Sequence, residues 1–266
     1  MASIPADFRD LVGAPHFAHL ATINADGSPQ SSPIWVKLDG DDVLFATDLR
    51  YRKAQNMQRD PRVSMSIQDE ANPYRYLELR GTAEMTPRDD WSFVDERTQA
   101  YMNVPEYPDK RDDSQGVIVR VKLAKVVSSN FQAPPDQPHP ADISDLLSPP
   151  HFGHIATINP NGFPQTSPVW IKREGDDVVF WTSAETRKAQ NLIRNPAIAV
   201  SARDITNPYT YVEVRGTATL DHVGADYSLL DDLARAYWQV PEYPDKSDDA
   251  QGVVVRIKVH HRVGQE

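Results

Sequence analysis

Pro15-His16-Phe17-Ala18-His19-Leu20-Ala21-Thr22-Ile23-Asn24-Ala25-Asp26-Gly27-Ser28-Pro29-Gln30-Ser31-Ser32-Pro33-Ile34-Trp35 begins a stretch that this chain writes twice. Residues 15–84 recur without a gap, 135 positions later, as residues 150–219, with 39 identities in 70 positions. After one extra residue in the second copy the match resumes, Val104-Pro105-Glu106-Tyr107-Pro108-Asp109-Lys110 against Val240-Pro241-Glu242-Tyr243-Pro244-Asp245-Lys246. Solenoid repeats run to tens of residues, so a period this long marks one whole small domain used twice. A fused pair is what a homodimer becomes after gene duplication, and a site the ancestral subunits built together is then expected between the halves.

Each copy reads the same way. A short amphipathic opening (Pro5 to Val12; Ala141 to Leu147) precedes a strand-like Phe17 to Ile23, and Asn24-Ala25-Asp26-Gly27 supplies hairpin chemistry. Gln30 to Lys37 is the returning strand, Asp39-Gly40-Asp41-Asp42 the next turn and Val43 to Thr47 the third strand. Ala54 to Arg59 has helical composition and stops at Asp60-Pro61. Val63 to Gln68 and Tyr74 to Met85 are strand-like, Asp89 to Asn103 is helical, and Gly116 to Val127 is a last β-rich run. Consecutive strands joined by tight turns predict an antiparallel barrel rather than a βαβ sheet. The predicted domains are residues 1–130 and 141–266, joined by the proline-dense, extended connector 131–140.

The 266 residues are 39% hydrophobic and 25% charged, a soluble globular balance. No apolar run approaches the roughly 18 residues of a membrane span, and the N-terminus lacks the basic start and apolar stretch of a signal peptide. The expected location is cytoplasmic, with no membrane partner. The absence of cysteine excludes thiol catalysis, disulfides and thiolate metal sites. A net charge of −10 argues against nucleic acid as a partner. It leaves room for an anionic small molecule in a local basic pocket.

One junction carries chemistry. In Thr47-Asp48-Leu49-Arg50-Tyr51-Arg52-Lys53-Ala54 a strand ends and Arg-Lys occupies the first turn of a helix. Cations are disfavoured there by the helix dipole. They make sense where an anion sits, because free backbone N–H groups and positive side chains converge on it. The second copy repeats the pattern as Thr182-Ser183-Ala184-Glu185-Thr186-Arg187-Lys188-Ala189. The alternative is a solvated surface pair. A second feature is Ser31-Ser32-Pro33-Ile34-Trp35: a strand beginning in hydroxyls can present donors and acceptors to a planar heterocycle, with Trp35 as a flat wall. A tryptophan in a strand is more commonly core. Pro33 predicts an edge position or a bulge.

The order strand, glycine turn, Pro-Gln-Ser-Ser-Pro-x-Trp, Thr-x-x-x-x-Arg-Lys-Ala-x-Asn-x-x-x-Asp-Pro, then Asn72-Pro73-Tyr74-x-Tyr76-x-Glu78-x-Arg80-Gly81 resembles the split β-barrel flavin/deazaflavin oxidoreductases related to pyridoxamine 5′-phosphate oxidase. The resemblance covers both halves nearly end to end. The Asn-Pro-Tyr segment, Tyr107-Pro108 and Val117 to Val121 are most similar to the coenzyme F420-dependent branch of actinobacteria. It implies a mainly β fold with short helices, two tandem FMN-binding split barrels forming an intramolecular pseudo-dimer. It implies that Arg52 and Lys53, with Arg50 beside them, bind the cofactor phosphate, and that Arg187 and Lys188 do so in the other half. Ser31, Ser32, Pro33, Ile34 and Trp35 then line the ring, as do Thr166, Ser167, Pro168, Val169 and Trp170. Thr47 and Thr182 close the phosphate pocket. Because the family's site lies at a dimer interface, Tyr74 and Tyr76 are expected to complete the second half's site, and Tyr209 and Tyr211 the first half's.

The chain departs from the family pattern in two places. Pyridoxamine phosphate oxidases carry a C-terminal tryptophan and Arg-x-His-type segment that holds pyridoxal phosphate; here no tryptophan follows Trp238, which argues against vitamin B6 oxidation. Arg50-Tyr51 is answered by Glu185-Thr186, a swing of two charges beside the phosphate pocket, so the two sites are expected to differ. His16/His19 and His151/His154 have a metal-like spacing, but three residues along a strand put the rings on opposite faces. Asp109 to Asp113 reads as a solvated charged loop. The expected function is an F420-dependent oxidoreductase acting on a small organic substrate. The alternatives are an FMN enzyme on the same fold and a non-catalytic flavin-, deazaflavin- or haem-binding protein.

Overall fold

A computed structural model describes residues 2–110, 115–131, 145–149, 151–204, 207, 210–247 and 251–265. The chain forms two compact units, residues 1–27 with 33–132 and residues 28–32 with 133–266. In the first half a short 3-10 turn (Ala6–Phe8) and α1 (Asp10–Gly13) precede the strands β1 (Ala18–Ile23), β2 (Pro29–Ile34), β3 (Lys37–Asp39) and β4 (Asp42–Asp48). Then come α2 (Arg52–Arg59), β5 (Arg62–Gln68), β6 (Arg75–Pro87), α3 (Ser92–Met102) and β7 (Gly116–Asn130). The second half follows with β8 (Phe152–Ile158), β9 (Pro164–Trp170), β10 (Lys172–Glu174), β11 (Asp177–Ser183) and α4 (Arg187–Arg194). It ends with β12 (Ala197–Arg203), β13 (Tyr211–Gly224), α5 (Ser228–Trp238) and β14 (Gly252–Gln265). The connector 131–140 lies outside the described residues except for Phe131, as do 141–144 of the second amphipathic opening.

Each half makes one seven-stranded sheet, ordered β2-β1-β5-β6-β7-β4-β3 in the first and β10-β11-β14-β13-β12-β8-β9 in the second. The recorded strand pairs are antiparallel, as the turn spacing predicts. The order has a geometric consequence. β2 and β3 are consecutive in the chain yet lie at opposite edges of the sheet, with only Trp35 and Val36 between them. A residue spans at most about 3.6 Å of extended chain, so two residues cannot cross a flat seven-stranded sheet. The sheet must curl until its edges meet, which is a barrel split along this seam. In the second half β9 and β10 are joined by Ile171 alone, and the same argument applies.

That closure overturns one expectation. Gln30 to Lys37 is not one strand: pairing stops at Ile34, the chain bends, and Lys37 starts the short strand β3 against β4. Residue alternation carries no signal of the bend, because it arises from the distant edge that Lys37 must reach. Pro33 does sit on an edge strand, where its missing N–H removes no ladder bond.

Alternation builds the core. Leu20, Met65, Ile67, Leu77, Leu79, Val119 and Val121 fill the first barrel, and Ile155, Val200, Val212, Val214, Val255 and Ile257 the second. Each such side chain contributes about 1.5–3 kcal/mol on burial. Both long hairpins carry a bulge at the same place, between Arg80 and Gly81 and between Arg215 and Gly216. A Cβ at Gly81 would meet the Lys122 carbonyl oxygen at 2.2 Å, and one at Gly216 the Lys258 oxygen at 2.2 Å. Only glycine permits that approach.

Candidate functional site

The strand-to-helix junction forms as the sequence predicts. β4 ends at Asp48, the three residues Leu49, Arg50 and Tyr51 follow, and α2 begins at Arg52; β11, ending at Ser183, and α4, beginning at Arg187, repeat this. What fixes each helix is the asparagine four residues on. Asn56 is buried and its Nδ2 donates to Thr22 Oγ1 at 3.0 Å and Asn24 Oδ1 at 3.1 Å. Asn191 does the same to Thr157 Oγ1 at 2.9 Å and Asn159 Oδ1 at 3.2 Å. These latches pin α2 to the end of β1 and α4 to the end of β8. The sequence pattern Arg-Lys-Ala-x-Asn therefore joins two tasks, an exposed arginine and a buried structural amide.

Arg52 and Arg187 are exposed and have no ion-pair or hydrogen-bond partner among the described residues. That is unusual in this chain. Arg62 pairs with Asp60, Arg75 with Asp10 and Asp69, Arg120 with Asp39 and Asp42, and Arg256 with Glu174. Lys53 and Lys188, beside them, are half-buried. Thr47 is half-buried on β4 and Thr182 buried on β11.

Arg50 does not join this group. Its Nε donates to Asp48 Oδ1 at 2.8 Å and its Nη2 to Asp48 Oδ2 at 2.6 Å, while its backbone N–H also reaches Oδ1 at 2.8 Å. These bonds hold the Asp48 carboxyl below its usual range, the Arg50 side chain being the largest cause. The pair sums to zero charge. Its counterparts are Ser183 and Glu185, and Glu185 has no ion-pair partner among the described residues. The difference between the halves is thus one charge rather than the two read from positions 50 and 185 alone.

The edge strands β2 and β9 hold the other candidates. Ser32, Ser167 and Thr166 are buried, and their hydroxyls have no hydrogen-bond partner among the described residues. Ser31 differs: its Oγ lies 2.7 Å from Ser201 Oγ, inside the second compact unit. Pro33, Pro168 and Val169 are half-buried and Ile34 is part of the first core. Trp35 and Trp170 are committed on one face. Trp35 stacks on Tyr101 of α3 with centroids 5.3 Å apart, and Trp170 on Tyr237 of α5 at 5.1 Å. Those phenols in turn bridge the strand seam, donating to the carbonyls of His16 and His151 and accepting the Val36 and Ile171 N–H groups. The tryptophans thus dock a helix, the packing role that a strand tryptophan more commonly has.

Tyr76 is half-buried on β6, and burial, with Glu78 nearby, raises its phenol above the ordinary value. It stays protonated at neutral pH, as a hydrogen-bond donor must. Tyr74 packs edge-on to Phe131 at 5.9 Å. Tyr211 is half-buried at the start of β13; Tyr209 lies outside the described residues. The charged loop is more ordered than expected at one point. Lys110 Nζ bonds Asp95 Oδ2 at 2.8 Å and Glu106 Oε2 at 3.1 Å, and Lys246 repeats this with Asp231 and Glu242. No group of three or more metal-ligating side chains occurs among the described residues.

The sequence profile of the pyridoxamine 5′-phosphate oxidase family matches residues 4–130 and again 140–263. The chain belongs to this family. It is a tandem pyridoxamine 5′-phosphate oxidase-like protein, built of two flavin-type split barrels, in a family of oxidoreductases. It is 28% identical over 162 residues to a pyridoxine/pyridoxamine 5′-phosphate oxidase of Kineococcus radiotolerans, covering 58% of this chain and 68% of that one. Among solved structures, an F420 reductase is 32% identical over 47% of this chain and 98% of its own, with a TM-score of 0.44. The haem storage protein HutZ of Vibrio cholerae is 19% identical over 49% of this chain and 97% of its own, with a TM-score of 0.39. No helix among the described residues is long and apolar enough to cross a membrane.

Proposed function

We propose that this pyridoxamine 5′-phosphate oxidase-like protein is an oxidoreductase that moves a hydride between coenzyme F420 and a small conjugated organic substrate. The observation that carries the reading is the unpaired arginine, Arg52 or Arg187, on the first turn of a helix in each half. Among the described residues no partner offsets the unfavourable dipole there, and a phosphate would. The buried, unpartnered hydroxyls of Ser32, Ser167 and Thr166 fit a ligand with hydrogen-bonding edges.

When bound, the cofactor ring supplies the hydride chemistry. The protein's part is to hold and shield it. Arg52 with Lys53, and Arg187 with Lys188, donate charge-assisted hydrogen bonds to the phosphate. The edge strands leave backbone groups on their outer side for the ring, and Trp35 and Trp170, locked by Tyr101 and Tyr237, keep those strands in place. Tyr76 offers a protonated phenol to an oxygen that gains electrons. The F420 choice rests on the Asn72 to Gly81 segment. One observation favours FMN as a second reading: with Arg50 neutralised by Asp48, the first anchor is Arg52 and Lys53 alone, enough for one phosphate.

Titration of the purified chain with F420 and with FMN, followed by tryptophan fluorescence, tests this. Tighter F420 binding supports the first reading; co-purified stoichiometric FMN selects the second. Binding of haem alone, with neither flavin-type cofactor, overturns both.

A further inference from the structure

Asn161-Gly162 is the only Asn-Gly step in the chain, and it forms the tip of the hairpin that joins β8 to β9. The Gly162 N–H donates to the Asn159 carbonyl at 2.9 Å, and Gly162 has φ +80°, a left-handed conformation that glycine adopts without strain. Pro160 and Asn161 are exposed. The Asn161 side chain folds back on its own backbone, where its Oδ1 accepts the Phe163 N–H at 3.2 Å. The first copy builds the same turn with Asp26-Gly27: the Gly27 N–H donates to the Asn24 carbonyl at 3.0 Å, and Gly27 again has φ +80°. A carboxyl group therefore already stands where the second copy has an amide.

We propose that Asn161 is a site of spontaneous deamidation, a modification whose aspartyl product gives the second turn the residue of the first. The Gly162 nitrogen attacks Asn161 Cγ. A C–N bond forms, the Gly162 proton passes to water, and the side-chain nitrogen leaves as ammonia. Water then opens the cyclic imide at either carbonyl, giving aspartate or isoaspartate, and nothing is oxidised or reduced. The turn favours the first step in three ways. Gly162 has no Cβ to crowd its nitrogen. Exposure admits the water that takes the proton. The Phe163 N–H already sits on the oxygen that becomes negative in the tetrahedral intermediate, as an oxyanion-hole donor does. The Gly162 bond to Asn159 must open first, and an exposed hairpin tip opens without the rest of the sheet. An ionised carboxyl is a poor acceptor for the same attack, so Asp26 stays as it is. The imide lacks the Gly162 N–H, so the Asn159 carbonyl loses its donor, and Asn159 Oδ1 is the residue's link to Asn191 on α4. Aspartate restores the turn with one added negative charge. Isoaspartate lengthens the backbone and shifts the start of β9 against that latch.

The test is to age the full chain in mildly alkaline buffer, folded and in urea, and to map its peptides by mass spectrometry. In the folded chain the peptide carrying Asn161 should gain the mass of an amide-to-acid exchange and separate into aspartyl and isoaspartyl forms. Peptides carrying the other asparagines, and the Asp26-Gly27 peptide, should stay unchanged over the same time. Asn161→Gln, whose longer side chain closes a larger and slower-forming ring, should stop the conversion and leave the far-ultraviolet circular dichroism as in the wild type. Asn161→Asp should keep the wild-type urea midpoint, because the first copy's turn accommodates Asp26; a lower midpoint overturns the match between the two turns. An Asn161 that stays an amide in the folded chain while the urea sample converts shows that the Gly162 bond to Asn159 protects it, and overturns the proposal. So does a folded chain in which another asparagine converts first, or in which none converts.

Discussion

Asp48 and Arg50 lie two residues apart on a turn and pair through two parallel hydrogen bonds, Nε to Oδ1 at 2.8 Å and Nη2 to Oδ2 at 2.6 Å. The cation that stands out in the sequence beside Arg52 is therefore already spent. Asp48→Asn removes the charge that holds it, so the first half's affinity for FMN or F420 should rise severalfold at low ionic strength. The gain should vanish near 1 M salt, where the Debye length is about 3 Å. Calorimetry at both salt concentrations checks this. An affinity unchanged at low salt would mean that Arg50 does not approach the ligand even when released.

The asparagine latches predict a separation between stability and binding. Asn56→Ala removes the donor to Thr22 Oγ1 and Asn24 Oδ1, all three residues being buried, and should cost on the order of 1–3 kcal/mol. Asn191→Ala should cost a similar amount. Arg52→Ala, at an exposed and unpaired side chain, should leave the urea midpoint within about 0.5 kcal/mol of wild type. Urea unfolding and ligand titration on the three variants give the comparison. An Arg52→Ala variant that unfolds readily would make that arginine structural.

Acid should destabilise the fold before its carboxylates titrate. His154 is fully buried, and burial, helped by the positive charge of Arg203, lowers its pKa from 6.5 to about 3. Burial also lowers that of His151. A histidine that stays neutral when folded binds fewer protons than its unfolded form below pH 6.5, so stability is lost as the pH falls through that value. The carboxyls held low by their partners, Asp48 and Asp60 among them, have an unfolded value of 3.8, so their contribution is lost only near and below it. The window from about pH 6.5 to 4 therefore belongs to the buried histidines. Urea midpoints across it should fall with pH in the wild type and fall less steeply in His154→Gln. Equal slopes would place the titration elsewhere.

Local chemistry made much of this molecule legible. Glycine turns, the Asp60-Pro61 stop and strand alternation are read over a few residues, and the repeat supplied a second copy of each. The rest depends on contacts between residues far apart in the chain, or on a short local pattern. The stack of Trp35 on Tyr101, which docks α3, joins residues 66 positions apart. The break at Trp35-Val36 is imposed by the far edge of the sheet. Arg50 was readable: Asp-x-Arg recurs as Asp60-Pro61-Arg62, where Arg62 Nε reaches Asp60 Oδ1 at 2.8 Å, the same geometry as Asp48 with Arg50. Asn56 was in plain view within the motif, but its burial follows only once α2 is laid against β1.

Tyr237 gives the last test, because its hydroxyl sits where three backbone groups meet. It accepts the Ile171 N–H at 3.0 Å and lies 2.5 Å from the His151 carbonyl and 3.0 Å from that of Ile171. Tyr237 is 2% exposed, so no water replaces the hydroxyl in Tyr237→Phe, and the Ile171 N–H loses its acceptor. The cost should be about 1–3 kcal/mol. Tyr101→Phe removes the matching bonds to Val36 and His16, but Tyr101 is half-buried and solvent can step in, so it should cost less. The phenyl ring still stacks on Trp170, so a loss on this scale belongs to the hydrogen bonds rather than to the aromatic contact. Ile171 is the single residue between β9 and β10, so loosening it loosens the edge strand that carries Thr166 and Ser167. Urea midpoints should therefore rank wild type, Tyr101→Phe, Tyr237→Phe, with tryptophan emission shifting most in the last. Equal costs in the two variants would mean that water already reaches the Ile171 amide and that the seam is held by ring stacking alone.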